Sequence, residues 1–371
     1  MVGIREQGTE LFARAGIVVG GDEPHDVQVH DDRFWTRIFR DRELGLGEAY
    51  QDGWWDALRV DEFLVRVLTA DLRSSIRPSS ALLWHAVRSK ATNRQTSRRA
   101  GRNARFHYDI GNDLYLRMLG DEMIYSCAVW DGVDDLAAAQ EAKLDLICRK
   151  LHLETGMRVL DIGCGWGGFA RHAAGRYGVH VVGISPSGEQ VGEARGRSGD
   201  LSVEFHQQDY REVAGTYDRI VSIGMFEHVG PRNYQGFFDR CCDLLAPDGL
   251  MLHHTIGSNE STQSVDAWFD RYIFPGGVVP SLHQISGAAQ PRWAIEDVHN
   301  LGPDYDRTLR AWHDNVEARW DEIPGYDERF RRTWRYYLLS SAASFRVRNL
   351  QLFQIVFSRT GRMSPVYRAT R

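Results

Sequence analysis

Residues Val159-Leu160-Asp161-Ile162-Gly163-Cys164-Gly165-Trp166-Gly167-Gly168 join an apolar run, an acid near its end and a glycine-rich turn. Glycines recur where a ligand must approach backbone that a Cβ would block. In open α/β sheets ligands sit at the carboxyl ends of strands, where this turn falls. A dinucleotide site would follow its strand with G-x-G-x-x-G. Here the order is Asp-x-Gly-x-Gly-x-Gly-Gly, with the acid first. An acid ahead of the glycines suits a cationic ligand without a pyrophosphate and points to S-adenosylmethionine, held by Asp161, Gly163 and Gly165. A glycine turn alone could be purely structural; the strand, acid, turn and helix in succession favour a site. Two later positions fit. The stretch Ser185-Pro186-Ser187-Gly188-Glu189-Gln190 has no acid at the strand end for ribose hydroxyls, leaving Ser185 and Gln190 as neutral candidates. Gln208-Asp209-Tyr210 offers a carboxylate or amide for an adenine amine and a ring to stack, although Asp209 could equally cap a turn.

The elements that must carry these residues alternate. Short β-branched runs at 157–162, 179–184, 201–206, 220–223 and 250–255 are separated by helical patterns such as 166–177 and 234–245. Alternating β and α predicts an α/β fold, a parallel sheet with helices on both faces. Two further strands are expected at 292–298 and 350–357, flanking a helix at 306–320. Residues 1–87 carry amphipathic helical patterns and form a small, mostly helical N-terminal domain in this reading. Residues 88–105 hold Arg88, Lys90, Arg94, Arg98, Arg99, Arg102 and Arg105 with no acid, a polar linker. The catalytic domain then covers 106–371. Its aromatic, Pro- and Gly-containing insertion at 258–290 is longer than a plain connection and suits a lid or substrate-binding loop.

A chain of 371 residues, 43% hydrophobic, can bury a large core, and its length suggests about two domains. The formal charge of −5 argues against a protein that coats nucleic acid; the one feature in favour is the 88–105 stretch. The five cysteines, Cys127, Cys148, Cys164, Cys241 and Cys242, show no metal-ligand spacing and suggest reduced thiols in the cytoplasm. Residues 1–21 are interrupted by Arg5, Glu6, Glu10 and Arg14, unlike a signal peptide. No run approaches the roughly 20 apolar residues of a membrane span, so a lipid substrate would have to be reached from the membrane surface.

Four further segments stand out: residues 106–113 (Phe-His-Tyr-Asp-Ile-Gly-Asn-Asp), Tyr125-Ser126-Cys127-Ala128-Val129-Trp130, Gly224-Met225-Phe226-Glu227-His228-Val229-Gly230 and Leu252-His253-His254-Thr255-Ile256-Gly257. Together they resemble the cyclopropane-fatty-acyl-phospholipid synthases, whose relatives include the mycolic-acid cyclopropane synthases. The resemblance covers nearly the whole chain. It includes residues 44–55 (Leu-Gly-Leu-Gly-Glu-Ala-Tyr-Gln-Asp-Gly-Trp-Trp), which favours the phospholipid enzymes over the shorter mycolate ones. It implies a Rossmann-like class I S-adenosylmethionine-dependent methyltransferase sheet finished by an antiparallel strand. It also implies a bicarbonate ion as general base, surrounded by Cys127, Glu227, His254, Ile256 (through its backbone N–H) and Tyr305. Tyr125, Ser126, Tyr210 and Ile223 would join the glycine turn and residues 185–190 around the cofactor. Some members carry a cysteine on the late helix where Ser341 stands here, so a thiol nucleophile is not expected, and residues 331–348 are expected to line the acyl pocket.

The chemistry accounts for such a site. An alkene is a weak nucleophile, so the sulfonium must be held against it in a dry pocket. Methyl transfer leaves a carbocation that water would quench. A base must then take a proton from the new methyl group so that the ring closes. The resemblance implies an unsaturated phospholipid as substrate, reached by transient peripheral contact with the inner face of the cell membrane, and a homodimer. The basic linker and the Trp54-Trp55 pair are candidates for that contact, each basic residue contributing about 1 kcal/mol near an anionic surface. A related lipid methyltransferase that stops at a methylene or methyl branch would share the same residues.

Overall fold

A computed structural model describes residues 3–72, 76, 111–262, 266–361 and 367–371. The basic stretch at 88–105 and residues 106–110 lie outside them. The chain opens with α1 (Ile4–Ala13), β1 (Gln28–Val29), α2 (Arg33–Gln51), β2 (Trp55–Asp56) and α3 (Val60–Thr69). There follow α4 (Asn112–Leu119), α5 (Leu136–Lys150), β3 (Arg158–Ile162), α6 (Gly168–Tyr177), β4 (His180–Ser185), α7 (Gly188–Gly196), β5 (Val203–Gln207) and β6 (Tyr217–Ile223). The remainder comprises α8 (Tyr234–Leu244), β7 (Leu245–Ser258), α9 (Ala267–Tyr272), α10 (Leu282–Ala289), β8 (Trp293–Asn300), α11 (Gly302–Ala318), α12 (Glu328–Arg346) and β9 (Leu350–Arg359).

Seven strands form one sheet in the order β5-β4-β3-β6-β7-β9-β8. β3 to β7 pair in parallel, and β9 runs antiparallel between β7 and β8. Every strand expected from the sequence is present. Successive residues face opposite layers, as a strand demands. Leu160, Val182, Ile220, Met251 and Phe357 join the core that includes Phe237 and Phe238 of α8. Val159, Val181, Val221, Leu252 and Val356 join the core that includes Phe169 of α6 and Ile147 of α5. This double-sided burial explains the near-continuous apolar runs.

The N-terminal segment is mostly helical, and its core is continuous with that of the late helices. Phe12, Trp35 and Phe63 belong to one buried cluster with Trp334, Tyr336 and Phe345 of α12. Gly47 permits a close approach: a Cβ there would lie 2.5 Å from the Trp268 ring on α9. Gln51 then bridges, accepting from Trp268 Nε1 at 3.2 Å and donating to Thr333 at 2.7 Å. Arg346 at the end of α12 reaches Asp61 and Glu62 of α3 and Asp306 of α11, at 2.9–3.0 Å. Thus the motif at residues 44–55 seats the N-terminal helices on the catalytic layer.

One membrane expectation is corrected here. Trp55 is fully buried and donates to the Leu46 carbonyl at 3.0 Å. Trp54 is covered by the Arg33 and Arg37 guanidinium groups, 4.5 and 4.0 Å from its ring centroid. Trp55 therefore belongs to the core of this segment and offers no face to lipid, whereas Trp54 stays partly exposed beneath its two arginines. None of the described helices is long and apolar enough to cross a membrane.

Candidate active site

The glycine turn after β3 does what its composition suggests. The Gly163 and Cys164 N–H groups donate to the Ile184 carbonyl at 2.9 and 3.0 Å, tying the turn to β4. Gly165 has φ +54°, and no atom lies within 4 Å of where its Cβ would be. The left-handed conformation favours glycine, and the open side faces a cavity at the carboxyl ends of β3, β4 and β6. All ten residues expected around the cofactor line this cavity: Tyr125, Ser126, Asp161, Gly163, Gly165, Ser185, Gln190, Asp209, Tyr210 and Ile223. Ser185 Oγ donates to Gln190 Oε1 at 2.9 Å, fixing both neutral candidates. Asp209 also caps the turn that follows, accepting from Arg211 N–H at 3.0 Å. Asp161 is buried, and its Oδ2 has no hydrogen-bond partner. Burial pushes its carboxyl up to about 7, opposed by the Lys143 charge.

A larger cavity of about 740 Å³, within the usual range for ligand pockets, lies beside the first. Tyr125, Ser126, Gly224 and His228 line both, so the two hollows meet at the end of β6. The larger one is walled by aromatic and aliphatic side chains from α9, α11 and α12, among them Phe269, Leu309, Tyr337 and Phe345. Ser341 lines it too, as expected of the late helix, whereas Arg346 and Arg348 are occupied in side-chain contacts with Asp61 and Gln351. Leu46, Leu64, Val67 and Leu68 of the N-terminal helices complete the wall, a contribution not seen in the sequence.

Four of the five expected base-site residues, Glu227, His254, Ile256 and Tyr305, line this cavity near the junction. The Ile256 N–H donates to Glu227 Oε1 at 2.7 Å, so it orients the carboxylate; Glu227 Oε2 is buried without a partner. Burial raises the Glu227 carboxyl, against the backbone hydrogen bonds that favour its anion. His254 Nδ1 meets the Gln354 amide nitrogen at 3.3 Å. With the amide so assigned, the ring proton sits on Nε2, itself buried and unpartnered. Burial holds this imidazole neutral, far below its ordinary range. Tyr305 packs against Trp312 and Phe345, ring centroids 5.9 and 4.7 Å away. Cys127 is not brought to the cavity: its thiol is fully buried and donates to the Ala128 carbonyl at 3.2 Å. Burial raises the thiol well above its usual range, keeping it neutral.

Residues 95–355 match the family described as mycolic acid cyclopropane synthetase. The chain belongs to this family. It is 47% identical over 351 residues to the cyclopropane-fatty-acyl-phospholipid synthase of Escherichia coli strain K12, covering 94% of this chain and 92% of that one. It is 33% identical to the tuberculostearic acid methyltransferase UfaA1 of Mycobacterium tuberculosis, covering 96% of this chain and 90% of the relative. The solved structure of the cyclopropane synthase MmaA2 from Mycobacterium tuberculosis superposes with a TM-score of 0.65 at 31% identity, over 69% of this chain and 97% of that one. CmaA1 complexed with SAH and CTAB gives 0.65 at 30% identity, over 70% and 98%. The chain is therefore an enzyme of the S-adenosylmethionine-dependent methyltransferase class, with the class I sheet its sequence predicted.

Within this family member, sequence reading missed three supports of the site. Gln354 sets the His254 ring, and Gln140 and Lys143 of α5 hold the Tyr125–Ser126 segment. A signal for the last pair exists: two polar residues sit among the buried Ala139, Leu144 and Ile147.

Proposed function

We propose that this enzyme transfers a methylene group from S-adenosylmethionine to the cis double bond of an unsaturated phospholipid acyl chain, forming a cyclopropane ring. The observation that carries this reading is the meeting of the two cavities at Tyr125, Ser126 and Gly224, with two unpartnered polar atoms, Glu227 Oε2 and His254 Nε2, beside the larger one. A cofactor in the smaller cavity would present its sulfonium end at the junction, where an acyl chain in the larger one passes.

The alkene π electrons attack the sulfonium methyl carbon; the C–S bond breaks, leaving S-adenosylhomocysteine and a carbocation. The aromatic and aliphatic walls exclude water that would capture that cation. Loss of a proton from the new methyl group lets its C–H electron pair close the ring. Bicarbonate, when bound, supplies the base for that proton. The residues present fit such an ion: Glu227 Oε2 can accept from its hydroxyl, and His254 Nε2 and the Tyr305 phenol can face its other oxygens. Ile256 acts at one remove by fixing Glu227, and Cys127 by packing.

A second reading, a methylene- or methyl-branched product, is favoured by the similarity to UfaA1 over almost the whole chain. The reaction takes place at the cytoplasmic face of the membrane by peripheral contact, with the enzyme as a homodimer. The test is to incubate the full chain with unsaturated phospholipid vesicles and methyl-labelled S-adenosylmethionine, then analyse the lipid by mass spectrometry. A ring-bearing chain with one added CH2 and no double bond supports the proposal. Label in an exomethylene or methyl branch selects the second reading, and unlabelled lipid refutes both.

A further inference from the structure

Helix α5 carries two buried polar side chains, Gln140 and Lys143, and the fully buried Lys143 lines the cofactor cavity. Gln140 Nε2 donates to the Ser126 carbonyl at 2.9 Å and the Ile124 carbonyl at 3.4 Å. Lys143 Nζ donates to the Ser126 hydroxyl at 3.0 Å. The two grip, by main chain and side chain, the segment that walls both cavities. Lysine is almost never buried fully without a partner. Asp161, buried with Oδ2 unpartnered, lines the same cavity as Lys143, and each charge favours the other's ionised form.

We propose that Lys143 is a positioning residue of the cofactor site: it orients Ser126 and, by its positive charge, keeps Asp161 as the anion that receives the ammonium end of S-adenosylmethionine. The ammonium has no acceptor lone pair, so a Ser126 oxygen that accepts from it must aim its own proton elsewhere, and the cavity is the open side. Burial alone would drive Asp161 to the neutral acid, which offers no charge to a cation. The neighbouring titratable groups are Cys127 beside Ser126, Cys164 in the glycine turn, His172 of α6 and His254 of β7. Burial keeps both thiols and both imidazoles toward their neutral forms. Of the other groups lining the cavity, Asp209 and Arg211 pair at 2.9 Å, and burial keeps His228 neutral and raises the Tyr125 and Tyr210 phenols. Asp161 and Lys143 are both brought to about 7 by burial.

The inference rests on S-adenosylmethionine as the ligand of this cavity. The test is calorimetric titration of the full chain with S-adenosylmethionine across about pH 6 to 9, for wild type and Lys143→Met. Wild-type affinity should fall roughly tenfold per pH unit below about pH 7, as Asp161 takes up its proton. In Lys143→Met the fall should begin about one pH unit higher or more, because a nearby opposite charge is worth about that much to a carboxyl. The variant is then about tenfold weaker at pH 7 and recovers in alkali. Curves that stay parallel, weaker by one factor at every pH, overturn the proposal in favour of a packing role. Should the variant not fold, wild type titrated near pH 7 in two buffers of different ionisation enthalpy decides. Release of a fraction of a proton on binding supports the pairing, and its absence overturns it. Wild type that fails to bind the ligand at all removes the functional reading together with this one.

Discussion

Replacing Glu227 with glutamine separates what this residue does for the reaction from what it does for the fold. The side chain keeps its length, and the amide oxygen can still accept from the Ile256 N–H, now 2.7 Å from Oε1. The change falls on the other arm, where the unpartnered Oε2 becomes an NH2 that donates instead of accepting. A hydrogen bond to a charged group contributes about 1.5–3 kcal/mol. Losing it in the rate-determining state lowers turnover about 10- to 100-fold. Stability should move the other way. Burial raises the folded-state carboxyl above its ordinary 4.5. Wild type therefore loses stability as pH rises from the unfolded value through the folded one, since the unfolded chain releases its proton first. Glutamine has no proton to release, so the variant should melt at or above the wild-type temperature at pH 8 and show no such advantage at pH 4. The assays are transfer of labelled methyl to unsaturated phospholipid vesicles and thermal melts at the two pH values. A variant within twofold of wild-type turnover would refute the role given to Oε2. A variant destabilised at pH 8 would refute the account of its burial.

Three further outcomes follow from the same geometry. Asp161→Asn removes the charge offered to the ligand's ammonium and should raise the Kd for S-adenosylmethionine tenfold or more, with binding flat between about pH 6 and 8; calorimetry reads both. Val67→Trp places bulk on the wall of the larger cavity and should shift product from mixed vesicles toward shorter acyl chains; an unchanged chain-length distribution would speak against this hollow as the acyl site. Arg346→Met takes one of two arginine partners from Asp61, whose side chain is 3% exposed and retains Arg59 at 3.0 Å, and should cost about 2–3 kcal/mol in urea melts. Burial raises the Asp61 carboxyl, but hydrogen bonds from Arg59 and Arg346 outweigh it and leave it below 3.8. That stabilisation is present above the unfolded value and lost as pH falls through the folded one, so the gap between variant and wild type should close in acid.

What the sequence discloses and what it conceals divide along the range of the forces involved. Strand alternation is local, so residues such as Val159 and Leu160 declare their opposite layers before any partner is known. The glycine turn is equally local, since its conformation and the acid beside it are set within ten residues, and every cofactor candidate drawn from it and its neighbours reached the cavity. Contacts closed by distant segments are not local. Nothing near Ile256 says that its N–H meets Glu227, nor near Cys127 that its thiol turns to a carbonyl. The N-terminal helices show amphipathic faces, yet only the fold reveals that Leu64 and Val67 wall the larger cavity together with α12. One kind of concealed residue is nonetheless marked. Gln140 and Lys143 interrupt the buried face of α5, and Gln354 interrupts β9, positions where an apolar residue would cost nothing. A buried polar group must find a partner or pay in desolvation. Where the apolar period breaks, a specific hydrogen bond has to be expected, and here those bonds run to Ser126 and His254, which line the two adjoining cavities.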